Sequence, residues 1–122
     1  MPTKRIMVLL GDLFFAPAVE SGLRQQGYAP DVRHTDQPPT GLGDPPPALL
    51  IVELDAPEAL WRPLVGQAGA AGVPCLGYGP HVDLDLRQRA LDAGVTQVVG
   101  RSAFATQLPT LVERLAGPPE QV

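Results

Sequence analysis

LLIVELDAPEAL, residues 49–60, is the stretch on which the fold turns. Four apolar residues, Leu49 to Val52, run into two acids, Glu53 and Asp55, and Pro57 then stops the extended pattern before a helical one begins. An unbroken apolar run bounded by turn chemistry marks a strand buried on both faces, as in a parallel sheet. This third strand is expected over 48–54. RIMVLL (5–10) before Gly11-Asp12, PCLGY (74–78) helped by Val73, and TQVVG (96–100) read alike, and a short strand fits 31–35.

Helical spacing fills most of the gaps. From Leu13 to Gln26 the apolar positions Phe14, Phe15, Ala18, Val19, Gly22 and Leu23 recur on one face, with Gly27 as terminator. Residues 58–71 place Leu60, Trp61, Leu64, Val65 and Ala68 on one face, with Pro63 in the first turns. Trp61 is expected to pack this helix on the sheet. Residues 83–94 form a helix with Asp83 as N-cap and Gly94 at the end. The last helix, 104–116, turns Leu108, Leu111, Val112 and Leu115 inward. Between strands two and three lies QPPTGLGDPPP (37–47), whose proline and glycine density forbids a helix of two turns. Strands alternating with helices imply right-handed crossovers and a parallel sheet covered on both faces.

The 122 residues fit one domain, expected over 1–116, with 117–122 as a flexible tail. A net charge of −4 argues against nucleic acid as a partner. The single cysteine, Cys75, excludes an intrachain disulfide and a metal cluster built on cysteine pairs, and in an apolar strand it reads as a small buried hydrophobe. The apolar run after Lys4-Arg5 is too short for a signal or a membrane span. A cytoplasmic, non-membrane chain is the expectation.

In such a sheet, ligands gather at the carboxyl ends of the strands. Those ends carry Gly11-Asp12, Glu53 to Asp55, Gly79-Pro80-His81 and Arg101-Ser102. Each has a plain structural reading beside a chemical one. Glu53 reads as a solvated strand tip or as a working charge, and Asp12 as an N-cap or as a ligand. His34 and His81 read as surface histidines. GLGD (41–44) and Gly77-Tyr78-Gly79 lack the strand-to-helix context of a dinucleotide site. No Ser-His-Asp set is evident.

The order and spacing resemble the receiver domains of two-component response regulators, the CheY-like family. The resemblance rests on RIMVLL and a helix ending in Gly27-Tyr28, on the P-x-L-L-I-V-acid pattern with Pro57 four residues after Glu53, on VPCLGY, and on RALDAGVTQVVGR with its basic residue at Arg101. It implies a flavodoxin-like α/β/α sandwich with strand order 2-1-3-4-5, here with the second helix missing or reduced. It also implies an aspartate phosphorylated at the tip of strand three, an acidic pair holding Mg²⁺ after strand one, a Ser/Thr after strand four and a lysine after strand five. Those positions fall on Glu53, on Leu10 and Gly11 with Asp12 one place late, on Gly79 and on Arg101. Mg²⁺ neutralises the charge on a transferring phosphoryl group, so its binding is expected to be weak or lost, with no other cofactor.

The resulting expectation is a pseudo-receiver: a stand-alone, non-enzymatic module of signal transduction that acts by protein contact without phosphorylation. Glu53 stands in the phosphoacceptor position, and Asp12, Asp55, Gly79 and Arg101 line the pocket. Glu53 and Arg101 are expected to pair across the sheet top, on the premise that strands three and five are neighbours. The Arg101–Ser102 bond is expected to be trans. The resemblance further places a homodimer contact on the helix over 83–94, strand five and the last helix, using Leu84, Leu86, Arg87, Arg89, Asp92 and Glu113. A second reading stays open: a flavodoxin-like small-molecule binder or enzyme using the acidic pocket.

Overall fold

The computed structural model describes residues 3–80 and 82–119; His81 and the last part of the expected tail, 120–122, lie outside the described residues. The chain runs β1 (Arg5–Leu10), α1 (Ala16–Gln26), β2 (Ala29–His34), β3 (Leu49–Glu53), α2 (Glu58–Ala70), β4 (Cys75–Gly79), α3 (Leu84–Ala93), β5 (Gln97–Gly100) and α4 (Arg101–Ala116). All five strands pair in parallel, in the order β2-β1-β3-β4-β5. This is the flavodoxin-like, CheY-like arrangement.

Alternation along the buried strands divides the core in two. Met7, Leu9, Leu50, Val52, Cys75 and Val98 meet Trp61, Leu64, Val65 and Ala68 of α2 and Ala90 of α3. Ile6, Val8, Leu10, Leu49, Ile51, Leu76 and Tyr78 meet Val19 and Leu23 of α1 and Phe104, Leu108, Leu111 and Val112 of α4. Trp61 is fully buried, as its place on the helical stripe implies. Helices α1 and α4 pack closely where Gly22 leaves room for Leu108.

No helix joins β2 to β3. Leu42 drops from the proline- and glycine-rich segment into the α2 side of the core. The Arg5 guanidinium holds the segment from beneath, donating to the carbonyls of Leu42 (2.6 Å) and Pro45 (2.9 Å) and to Asp31 Oδ2 (2.8 Å). One hydrophobic plug and one cation do the work of the absent helix.

Three expectations are corrected. Strands β3 and β5 are not neighbours, because β4 lies between them. Helix α1 begins at Ala16 rather than Leu13. Asp12 Oδ1 accepts from the N–H groups of Phe14 and Phe15, and its carbonyl accepts from Phe15 and Ala16, so 13–15 form a turn. Pro17 then sits in the first helical turn, where its missing N–H costs nothing. Phe14 consequently points outward, 98% exposed, and Leu13 is 66% exposed. Helix α4 begins at Arg101, three residues before the expected 104, because Gly100 takes the extended N-cap conformation (φ −72°, ψ 159°) directly after β5.

Candidate functional site

The strand tips enclose a cleft of about 420 Å³ whose walls come from four loops. Gly11 and Asp12 follow β1, Thr35 follows β2, Glu53 to Pro57 follow β3, and Tyr78, Pro80 and Arg101 close the far side. The structure thus brings Asp12, Glu53, Asp55 and Arg101 to one cleft. Gly79 stands beside them in β4. The Arg101–Ser102 bond is trans.

The pairing within the cleft differs from expectation. Arg101 Nη2 donates to Asp12 Oδ2 at 2.5 Å, not to Glu53. Asp12 therefore uses both oxygens: one holds the turn before α1, the other holds Arg101. The guanidinium also lies 4.7 Å over the Phe15 ring. Phe15 belongs to an aromatic cluster in which Tyr78 and Phe104 stack at 4.1 Å and 4°. Arg101 is thus fixed by an ion pair on one side and a π-face on the other.

Glu53 is half-buried and accepts from the Gly11 N–H. Burial raises its pKa above the usual carboxylate value, and the charges of Asp55 and Asp12 add to the rise; the Gly11 N–H and Arg101 oppose it. Tyr78 is 1% exposed, and its hydroxyl has no hydrogen-bond partner. Burial, and then the Glu53 charge, push that phenol upward. The Cys75 thiol, deep in β4, is pushed up to about 12 by burial, which suits an inert core residue.

Two glycines show how tightly the cleft is filled. A Cβ at Gly11 would lie 2.9 Å from Thr35 Oγ1, so an acidic side chain there requires Thr35 to move. A Cβ at Gly79 would meet Val82 Cγ2 at 3.2 Å and Asp55 Oδ1 at 3.3 Å, so Asp55 leans into the space a Ser or Thr would take. Leu10 is wholly buried in the core. Among the described residues, no three His, Cys, Asp or Glu side chains are placed to hold a metal ion. Asp12 is engaged by Arg101, and positions 10 and 11, where the resemblance places an acidic pair, carry Leu and Gly.

Sequence reasoning missed Thr35 and Tyr78. Tyr78 could have been found from register, since it lies opposite Glu53 in the β3–β4 ladder. Thr35 carried no local signal. His34 is part-buried, with Nδ1 accepting from the Asp36 N–H at 3.3 Å, and stands apart from the cleft. On the expected dimer face, Leu84 is 85% exposed. Arg87 there donates to the Val98 carbonyl, and Arg89 is held by Glu58 and Asp85. No helix of the described residues is long and apolar enough to cross a membrane.

No protein-family model matches the sequence, and no curated protein matches it. Solved structures do match in shape. A CheY-like response regulator receiver domain protein from Methanospirillum hungatei JF-1 superposes with a TM-score of 0.80 at 14% identity, over 94% of each chain. The non-phosphorylated HemR receiver domain from Leptospira biflexa gives a TM-score of 0.78 at 14% identity, over 98% of each chain. A putative CpaE2 pilus assembly protein from Sinorhizobium meliloti 1021 gives 0.61 at 20% identity, covering 91% of this chain and 98% of that one. At these identities the likeness establishes the fold.

Proposed function

We propose that this chain is a receiver-like signalling module that works by protein contact and takes no phosphoryl group. The observation that carries the reading is the Asp12–Arg101 pair. Among the cleft-lining residues Arg101 is the one cation, and it is already neutralised by Asp12 and stacked on Phe15. Glu53 and Asp55 add two further carboxylates. A phosphoryl group entering this cleft would meet three carboxylates, with its one cation already engaged by Asp12, and charge neutralisation is most of phosphoryl-transfer catalysis.

The scaffold survives while the chemical positions have changed: Glu53 at the tip of β3, Gly79 at the end of β4, Arg101 at the start of α4. Glu53 supplies a built-in acid where the resemblance places a group that gains and loses a phosphoryl charge. Such an acid suits a module whose output is a constant surface rather than a phosphorylation switch. Catalysis, a cofactor and a tightly held metal form no part of this function.

The test is intact mass after incubation with a small-molecule phosphoryl donor and Mg²⁺. The mass stays unchanged under this reading, and stable phosphorylation on Asp12 or Asp55 overturns it.

A further inference from the structure

Beside the cleft, on the other side of Arg101, lies a shallow hollow lined by Phe15, Pro80, Gly100, Ser102 and Ala105. Arg101 and Pro80 belong to both depressions, so the two form one continuous surface. Leu13 and Phe14 project from the loop that joins Asp12 of the cleft to Phe15 of the hollow. A phenylalanine 98% exposed beside a leucine 66% exposed is apolar surface that the fold itself leaves uncovered.

The cleft is unbalanced in charge. Arg101 satisfies Asp12, while neither Glu53 nor Asp55 forms an ion pair among the described residues. A second, independent sign of incompleteness lies at its wall, where the 1%-exposed Tyr78 keeps a hydroxyl without a partner. An unpaired buried hydroxyl costs free energy that an incoming donor or acceptor would recover.

We propose that the acidic cleft and the adjoining apolar surface dock a protein segment carrying a lysine or arginine next to an aliphatic or aromatic side chain. The cation enters between Glu53 and Asp55, and the apolar neighbour lies against Phe14 and the hollow. Charge complementarity selects this occupant: an acidic or phosphorylated segment would face the same two uncompensated carboxylates. The inference rests on the reading of the chain as a contact module and names the chemistry of its partner.

The experiment is panning of a phage-displayed random peptide library on the immobilised full chain, followed by titration of the enriched peptides. Enriched sequences are expected to place Lys or Arg within about two residues of an apolar side chain. Their affinity should fall about fivefold in Glu53→Gln/Asp55→Asn, the size of one partly screened charge contact, and also in Phe14→Ser. Phe14 and Asp55 are exposed and Glu53→Gln keeps the shape of a half-buried side chain, so these changes leave the fold intact. Enrichment of peptides without a cation, equal binding to the variants, or no enrichment at all overturns the proposal. So does a result in which Mg²⁺ alone shifts the amide resonances of Asp12, Glu53 and Asp55. The phosphoryl-donor experiment separates the two claims. Unchanged mass with binding elsewhere sinks only the docking surface, whereas phosphorylation with cationic peptides still bound sinks only the phosphorylation-independent reading.

Discussion

Two irregular stretches flank this sheet, and they are finished differently. The segment between β2 and β3 has the composition of a loose loop, yet it buries Leu42 and gives two carbonyls to Arg5. The turn between β1 and α1 reads as the start of a helix, yet it leaves Phe14 and Leu13 in solvent. In the first, the carbonyls of Leu42 and Pro45 find a donor within the chain. Around the second, the Tyr78 hydroxyl has no partner, and Glu53 and Asp55 form no ion pair among the described residues. Under the docking proposed above, the contrast separates scaffold from contact surface.

The contrast predicts opposite mutational responses. Leu42→Ala should give the largest loss of stability, about 2–3 kcal/mol in urea unfolding, because it empties a buried site under a segment with no helix to collapse into it. A neutral result would show that the segment is a passive cover. Arg5→Met should follow at about 1–2 kcal/mol, since it takes the donor from two carbonyls and leaves Asp31 to Arg33 alone, while keeping the aliphatic stem.

At the strand tips the effects should shrink and one should reverse. Arg101→Ala should cost only about 0–1 kcal/mol, because its pair with Asp12 is solvent-screened. Glu53→Gln should stabilise the fold at neutral pH. The Glu53 pKa is raised in the folded state, chiefly by burial, so the folded chain favours its protonated form. Its wild-type contribution is therefore best below the unfolded carboxylate value and is lost as pH rises through the higher folded value. The melting-temperature advantage of Glu53→Gln should appear across that window and vanish in acid; the opposite slope would mean that the charge is stabilised where it stands. Phe14→Ser should change stability by no more than about 0.5 kcal/mol while weakening peptide binding.

Much of this was legible in the chain. Apolar runs at 5–10, 49–52 and 74–78 signal buried strands because both faces of a parallel sheet are covered, and period-3.6 stripes signal helices for the same local reason. The missing helix followed from proline chemistry alone. The place of Asp12, Glu53, Asp55 and Arg101 at the cleft was legible too, because parallel strands deliver all their carboxyl ends to one edge, whereas that of Thr35 and Tyr78 was not. Local pattern determined which residues reach that edge.

Only the tertiary structure decided how they pair there. Arg101 takes Asp12 rather than Glu53 because β4 separates β3 from β5, and because α4 starts at Arg101 itself, laying the guanidinium across Phe15 toward the β1 loop. Phe14 faces solvent although its spacing is helical, because one Asp12 oxygen captures two N–H groups and turns the chain before α1 can begin. Thr35 occupies the space beside Gly11, 24 positions away in the chain, through the β1–β2 register. Periodicity is a property of neighbours in sequence, whereas an ion pair is chosen among neighbours in space, and that choice existed only after the sheet had assembled.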